Sequence, residues 1–156
     1  MKKILICLLV AALSFAIAPA KTAEDILKEF KQEKDVEFVH MPSLITKLAL
    51  RTGGQKTKKL RRAIDTIDIV NLGNCSGKVK SRFAKEVTKL LDNDEYEEIA
   101  IHSAGKEQTH VMFRTEGEDI TEIVIAAVEK KDAAFVRITG LITHDDIEQI
   151  LELYQD

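Results

Sequence analysis

The sequence predicts an α+β two-layer sandwich: a mainly antiparallel sheet of about six strands, ending in a four-strand meander, with helices on one face. Three observations predict it. Between Tyr96 and Ile142 four apolar runs follow one another with only short polar breaks, which forces neighbouring strands to run antiparallel. The third run, Ile123 to Val128, is apolar at both parities, so it belongs inside the sheet with both faces covered. The segment Lys78 to Asn93 has Val79, Phe83, Val87, Leu90 and Leu91 at helical spacing, and it can supply cover.

Taken in order, the chain opens with Lys2 and Lys3, an apolar stretch from Ile4 to Ile17, and Ala18-Pro19-Ala20. This is the pattern of a cleavable export leader, with small residues at the two positions a leader peptidase reads. Cleavage after Ala20 is expected, and the product is periplasmic or secreted. Residues 21 to 156 then form one domain, long enough to bury about two-thirds of its unfolded surface. Cys75 is the sole cysteine after the leader, so the exported domain has no disulfide within the chain.

Thr22 precedes Ala23-Glu24-Asp25 and the apolar set Ile26, Leu27 and Phe30, which predicts a capped helix from Ala23 to about Lys34. Val36 to Met41 reads as a strand ended by Pro42. Ser43 to Leu50 has helical spacing and stops at Gly53-Gly54, and Gln55 to Ala63 reads as a basic loop entering a turn of helix. Ile67 to Leu72 gives a second strand, ended by the Gly73 to Gly77 turn, after which the Lys78 to Asn93 helix begins. The meander strands centre on Ile99 and Ile101, Val111 and Phe113, Ile120 to Val128, and Phe135 to Ile142. Ala104-Gly105-Lys106, Glu116-Gly117-Glu118 and Lys130-Lys131-Asp132 are the turns between them. Thr143 with Asp146 caps a closing helix whose inward residues are Ile147, Ile150, Leu151 and Tyr154. Whether the first two strands pair with each other or with the meander is open at this level.

Charge is uneven. Residues 47 to 89 hold twelve Lys and Arg against three acids, while residues 90 to 156 hold five against seventeen. The candidate anion-binding patch is Lys56, Lys58, Lys59, Arg61 and Arg62 together with the Lys78, Arg82, Lys85 and Lys89 stripe. A solvated helix face explains the same stripe, and that is the favoured reading. Nucleic acid is not an expected partner, because the stripe has no interleaved aromatics. No catalytic, cofactor or metal signature stands in the chain. His40, His102, His110 and His144 lie on separate elements, and only His102 and His110, which flank a hairpin, have a route to each other. Gly54-Gln55-Lys56-Thr57 lacks the glycines of a phosphate loop. The nominees for an enzyme are Glu122, Arg137 on the following strand, and Cys75, whose glycine-rich neighbours point to an exposed turn. For Glu122 and Arg137 a structural cross-strand ion pair is the favoured reading.

Tyr96-Glu97-Glu98-Ile99, Asp119 to Ile125, and Phe135-Val136-Arg137-Ile138-Thr139-Gly140 followed by Thr143-His144-Asp145-Asp146-Ile147 resemble the bacterial envelope family called domain of unknown function 4252. The similarity runs from about Phe30 to the C-terminus. It implies an exported protein without an assigned activity, and it carries over no catalytic residue; proximity of such genes to envelope-stress loci implies an accessory role in signalling as one option. The leading expectation is an exported, non-enzymatic domain that binds a protein, peptide or envelope component. A small enzyme around Glu122, Arg137 or Cys75, and peripheral attachment to an anionic membrane or polysaccharide through the basic segment, are the alternatives.

Overall fold

The computed structural model describes residues 20–43, 62–104, 107–129 and 132–147. Among them two helices, α1 (Ala23–Phe30) and α2 (Gly77–Leu91), accompany six strands. These are β1 (Glu37–Met41), β2 (Ile64–Asn71), β3 (Glu97–Ala104), β4 (Glu107–Glu116), β5 (Asp119–Val128) and β6 (Ala133–Ile142). All six make one open antiparallel sheet in the order β1-β2-β6-β5-β4-β3. The predicted meander is intact, and the two early strands do both things the sequence left open: β1 pairs with β2, and β2 pairs with the last meander strand.

α1 starts where its cap demands. The Asp25 N–H donates to Thr22 Oγ1 at 3.2 Å while the Thr22 N–H donates to Asp25 Oδ2 at 3.1 Å, a reciprocal capping box. The helix ends at Phe30, short of Lys34, and the turn that follows puts Asp35 in the left-handed region at φ 65° before β1 begins. An aspartate tolerates that conformation better than most residues. α2 begins at Gly77, one residue earlier than predicted, because Ser76 Oγ accepts the Val79 N–H and so acts as the cap. After β6, Thr143 and Asp146 form the predicted box, with Thr143 N–H to Asp146 Oδ2 at 3.0 Å, and residues 144–147 are helical. The expected helix from Ser43 to Leu50 and the Gln55 to Ala63 loop lie outside the described residues, apart from Ser43, Arg62 and Ala63. So do the closing helix beyond Ile147, the leader up to Pro19, and the Gly105-Lys106 and Lys130-Lys131 turns.

Both faces of β5 are buried from Ile123 to Ala126, while Ala127 and Val128 at the end of the double-parity run are half-buried. Ala23, Ile26, Leu27 and Phe30 of α1 and Phe83, Val87 and Leu90 of α2 pack on Val70, Met112, Val124, Ala126 and Phe135. Phe30, Phe83 and Phe135 meet edge to face, with centroids 5.3 and 6.1 Å apart, and so join α1, α2 and β6. On the opposite face Ile123, Ile125 and Ile138 cluster with Phe113, Ile120, Ile142, Ala63 and Ile147. From Ile123 to Ala126 the residues of β5 are 0 to 7 % exposed.

Two glycines are required by geometry. Gly117, at φ 68°, takes the first central position of the two-residue β4–β5 turn, the place where a hairpin turn of that type calls for glycine. Gly140 stands opposite Ile64, and a Cβ there would land on the carbonyl oxygen of Ala63. That close approach lets β2 begin at Ile64, three residues before the predicted start. Gly140→Ala is expected to lower unfolding stability in urea titration by about 2 kcal/mol or more, since the backbone must shift to admit the methyl group. Gly77→Ala, where an added Cβ meets nothing within 4 Å, should leave stability unchanged or slightly raised.

Candidate functional site

The sheet face that carries α1 and α2 is apolar toward the helices and charged beyond them. Strand register builds the charged part. His40 on β1 stands opposite Asp68 on β2, Asp68 opposite Arg137 on β6, and Glu122 on β5 opposite Arg114 on β4. Cross-strand partners share a face, so the five side chains form a row across the sheet in which acidic and basic residues alternate. His40 Nδ1 lies 2.5 Å from Asp68 Oδ1, and Arg137 Nη1 lies 3.9 Å from Asp68 Oδ2. Arg137 Nε donates to Glu122 Oε1. Arg114 Nε sits 3.3 Å from Glu122 Oε2 without the angle for a hydrogen bond, so that pairing is purely electrostatic.

Glu122 is the centre of this row and is 1 % exposed. Its remaining partner comes from outside the strands: Tyr96 Oη donates to Glu122 Oε2 at 2.8 Å and accepts the Ala23 N–H at 3.1 Å. Thus one phenol joins the first residue of α1 to the sheet. Burial, followed by the neighbouring Glu122 carboxylate, raises the Tyr96 phenol well above its ordinary value. Burial opposes the charge on Arg137, yet the hydrogen bond and charge of Glu122 outweigh it, and the guanidinium is held more firmly protonated than usual.

The nominees of the sequence separate here. Glu122 and Arg137 meet as the expected ion pair. Cys75 does not face solvent as its turn suggests. It is buried, its Sγ donates to the Lys34 carbonyl at 3.4 Å, and burial, then Asp35 and Glu33, push its thiol pKa up. A thiol so held is a poorer nucleophile, not a better one. His110 stands opposite Ile101 rather than His102, and its Nδ1 is 2.6 Å from Glu98 Oε1. The His144 ring meets Phe113 edge to face. Among the described residues no three His, Cys, Asp or Glu side chains form a metal cage, and no helix is long and apolar enough to cross a membrane.

Of the basic candidates, Lys56, Lys58, Lys59 and Arg61 lie outside the described residues. Arg62 is exposed and lines a shallow depression with Ala63, Leu141, Thr143, Asp145 and Asp146. Arg82 pairs with Glu29 and Glu33, and its guanidinium lies over the Phe30 ring. Lys89 pairs with Glu86, whereas Lys78 and Lys85 are exposed on α2. Part of the stripe therefore fastens α2 to α1.

Sequence reading missed Asp68, Arg114, His40 and Tyr96 as members of one network. A signal existed for Arg114, which lies across the tight Gly117 turn from Glu122. Nothing local marked Tyr96, whose partners are 73 and 26 residues away.

An open, single antiparallel sheet with α1 and α2 on one face and a buried ionic row defines an α+β domain. The chain belongs to the family described as Domain of unknown function (DUF4252), whose model matches residues 30–150. No curated protein and no solved structure matches the chain. The family match begins at the last residue of α1, so the helix that Tyr96 anchors lies almost wholly ahead of it.

Replacing Glu122 by Gln strands Arg137 and Arg114, and is expected to cost about 3 kcal/mol in equilibrium unfolding. Tyr96→Phe should cost about 1 kcal/mol at neutral pH. A raised phenol pKa means the unfolded chain loses that proton first, so this stabilisation is complete below the ordinary value of 10.0 and drains away as pH rises above it. Unfolding measured from pH 8 to pH 11 should show an alkaline decline that is shallower in Tyr96→Phe.

Proposed function

We propose that this is an exported, non-enzymatic binding domain of the bacterial cell envelope that takes an extended segment of a partner protein or peptide along β1. Export is supported by the Lys2-Lys3 start, the apolar Ile4 to Ile17 stretch and Ala18-Pro19-Ala20. Binding is supported by β1 itself. Among the described residues it is one of the two edge strands of the sheet, four of its five residues are exposed, and Phe38 and Val39, at 38 and 47 %, face opposite sides. Natural edge strands are usually blunted by charge, and an apolar edge suits a strand-adding peptide whose main chain supplies affinity and whose alternate side chains supply specificity. Catalysis has less support, because Glu122 and Arg137 are occupied by each other and Cys75 is buried against the Lys34 carbonyl.

The test compares the exported chain with a Phe38→Ser/Val39→Lys variant as baits in envelope extract. A partner held by the edge should be retained at least tenfold less by the variant, whose fold is checked by circular dichroism. Equal recovery by both baits overturns the proposal.

The exposed Lys78 and Lys85 on α2 favour a second reading, attachment to an anionic lipid surface. Co-sedimentation with phosphatidylglycerol vesicles should then fall steeply between low and physiological salt, and salt-independent sedimentation removes it.

A further inference from the structure

The folded domain takes hold of the chain immediately after the expected leader. The Lys21 carbonyl accepts Asn93 Nδ2 at 2.8 Å. Its ammonium lies 2.8 Å from Glu29 on α1 and 3.0 Å from Glu86 on α2. Thr22 is locked in the capping box, and Ala23, 0 % exposed, gives its N–H to Tyr96. Asn93 is itself buried just past the end of α2, with its Oδ1 accepting the Glu95 N–H at 3.0 Å. The three residues following Ala20 are thus fixed by three parts of the fold: α1, α2 and the turn from Asn93 to Tyr96.

An endopeptidase needs the residues on both sides of the scissile bond in extended, accessible form, and a segment fixed in this way becomes a substrate only when it opens locally. We infer that the Ala20–Lys21 bond is a substrate for a leader peptidase only before α1 docks, so that processing must precede completion of the fold. The inference rests on reading residues 1 to 20 as an export leader. The step is a hydrolysis: water adds to the Ala20 carbonyl carbon, the Ala20–Lys21 C–N bond breaks, Ala20 keeps the new carboxylate, and the Lys21 nitrogen leaves with a proton as an amine. The contacts that hold Lys21, Thr22 and Ala23 all belong to Lys21 and later residues, so the cut leaves them in place and the product can close over its new N-terminus.

The experiment uses the full chain in detergent with a purified leader peptidase, once after folding and once in the highest urea the enzyme tolerates. The folded chain should be cut at least tenfold more slowly than the unfolded chain, yielding a product that begins at Lys21. Asn93→Ala, outside the stretch the peptidase reads, should speed cleavage of the folded chain severalfold without changing the rate for the unfolded one. Tyr96→Phe should do the same to a smaller degree, which keeps the test open if Asn93→Ala does not fold. Equal rates for folded and unfolded wild-type chain overturn the inference while leaving the leader reading intact. An unfolded chain that stays uncut, or is cut elsewhere than before Lys21, overturns the leader reading and the inference with it.

Discussion

Glu122 gives up its hydration on folding, and the groups that replace that water determine how the pieces of this domain are tied together. One oxygen is taken by Arg137 of the next strand; the other receives the Tyr96 hydroxyl and faces Arg114 of the preceding strand. A buried carboxylate with fewer partners would cost several kcal/mol, so the strands that bear its partners are held in one register. The same row reaches Asp68 and His40, and so extends the constraint from β4 to the β1 edge.

This arrangement also explains why α1 docks where it does. An eight-residue helix is too short to persist alone in water. It is kept by the Phe30 contact with Phe83, by Lys21 and Glu29 reaching α2, and by the Ala23 N–H seated on the Tyr96 oxygen. The hydrogen bond from Tyr96 to Glu122 carries that attachment into the middle of the sheet. Charge that looked like a basic surface in the sequence is partly spent inside the fold, since Arg82 meets Glu29 and Glu33.

The chemistry-bearing residues and the exposed apolar ones are segregated. Glu122, Asp68 and Cys75 are buried, whereas Phe38 and Val39 on β1 and Leu141 near the end of β6 remain in contact with water. A domain built this way has its buried polar side chains committed to its own cohesion and keeps apolar side chains at the β1 edge in water. That division underlies the reading of the chain as a binding module.

The meander, the caps at Thr22 and Thr143, the α2 face and the double burial of β5 were legible in the residues, because each depends on local spacing or on turns a few residues long. Glu122 with Arg137 was legible for the same reason, as a pair on consecutive strands. The pairing of β2 with β6, the burial of Cys75, and the gathering of His40, Asp68, Arg114 and Tyr96 around that pair were not. These contacts join segments separated by tens of residues, and no periodicity records which strand edge a distant strand will choose. The sequence by itself determined which segments are strands and helices and which faces they bury. Only the tertiary structure decided their order in the sheet and the partners of each buried charge, because desolvated groups are satisfied by whatever the closed fold brings within hydrogen-bonding reach.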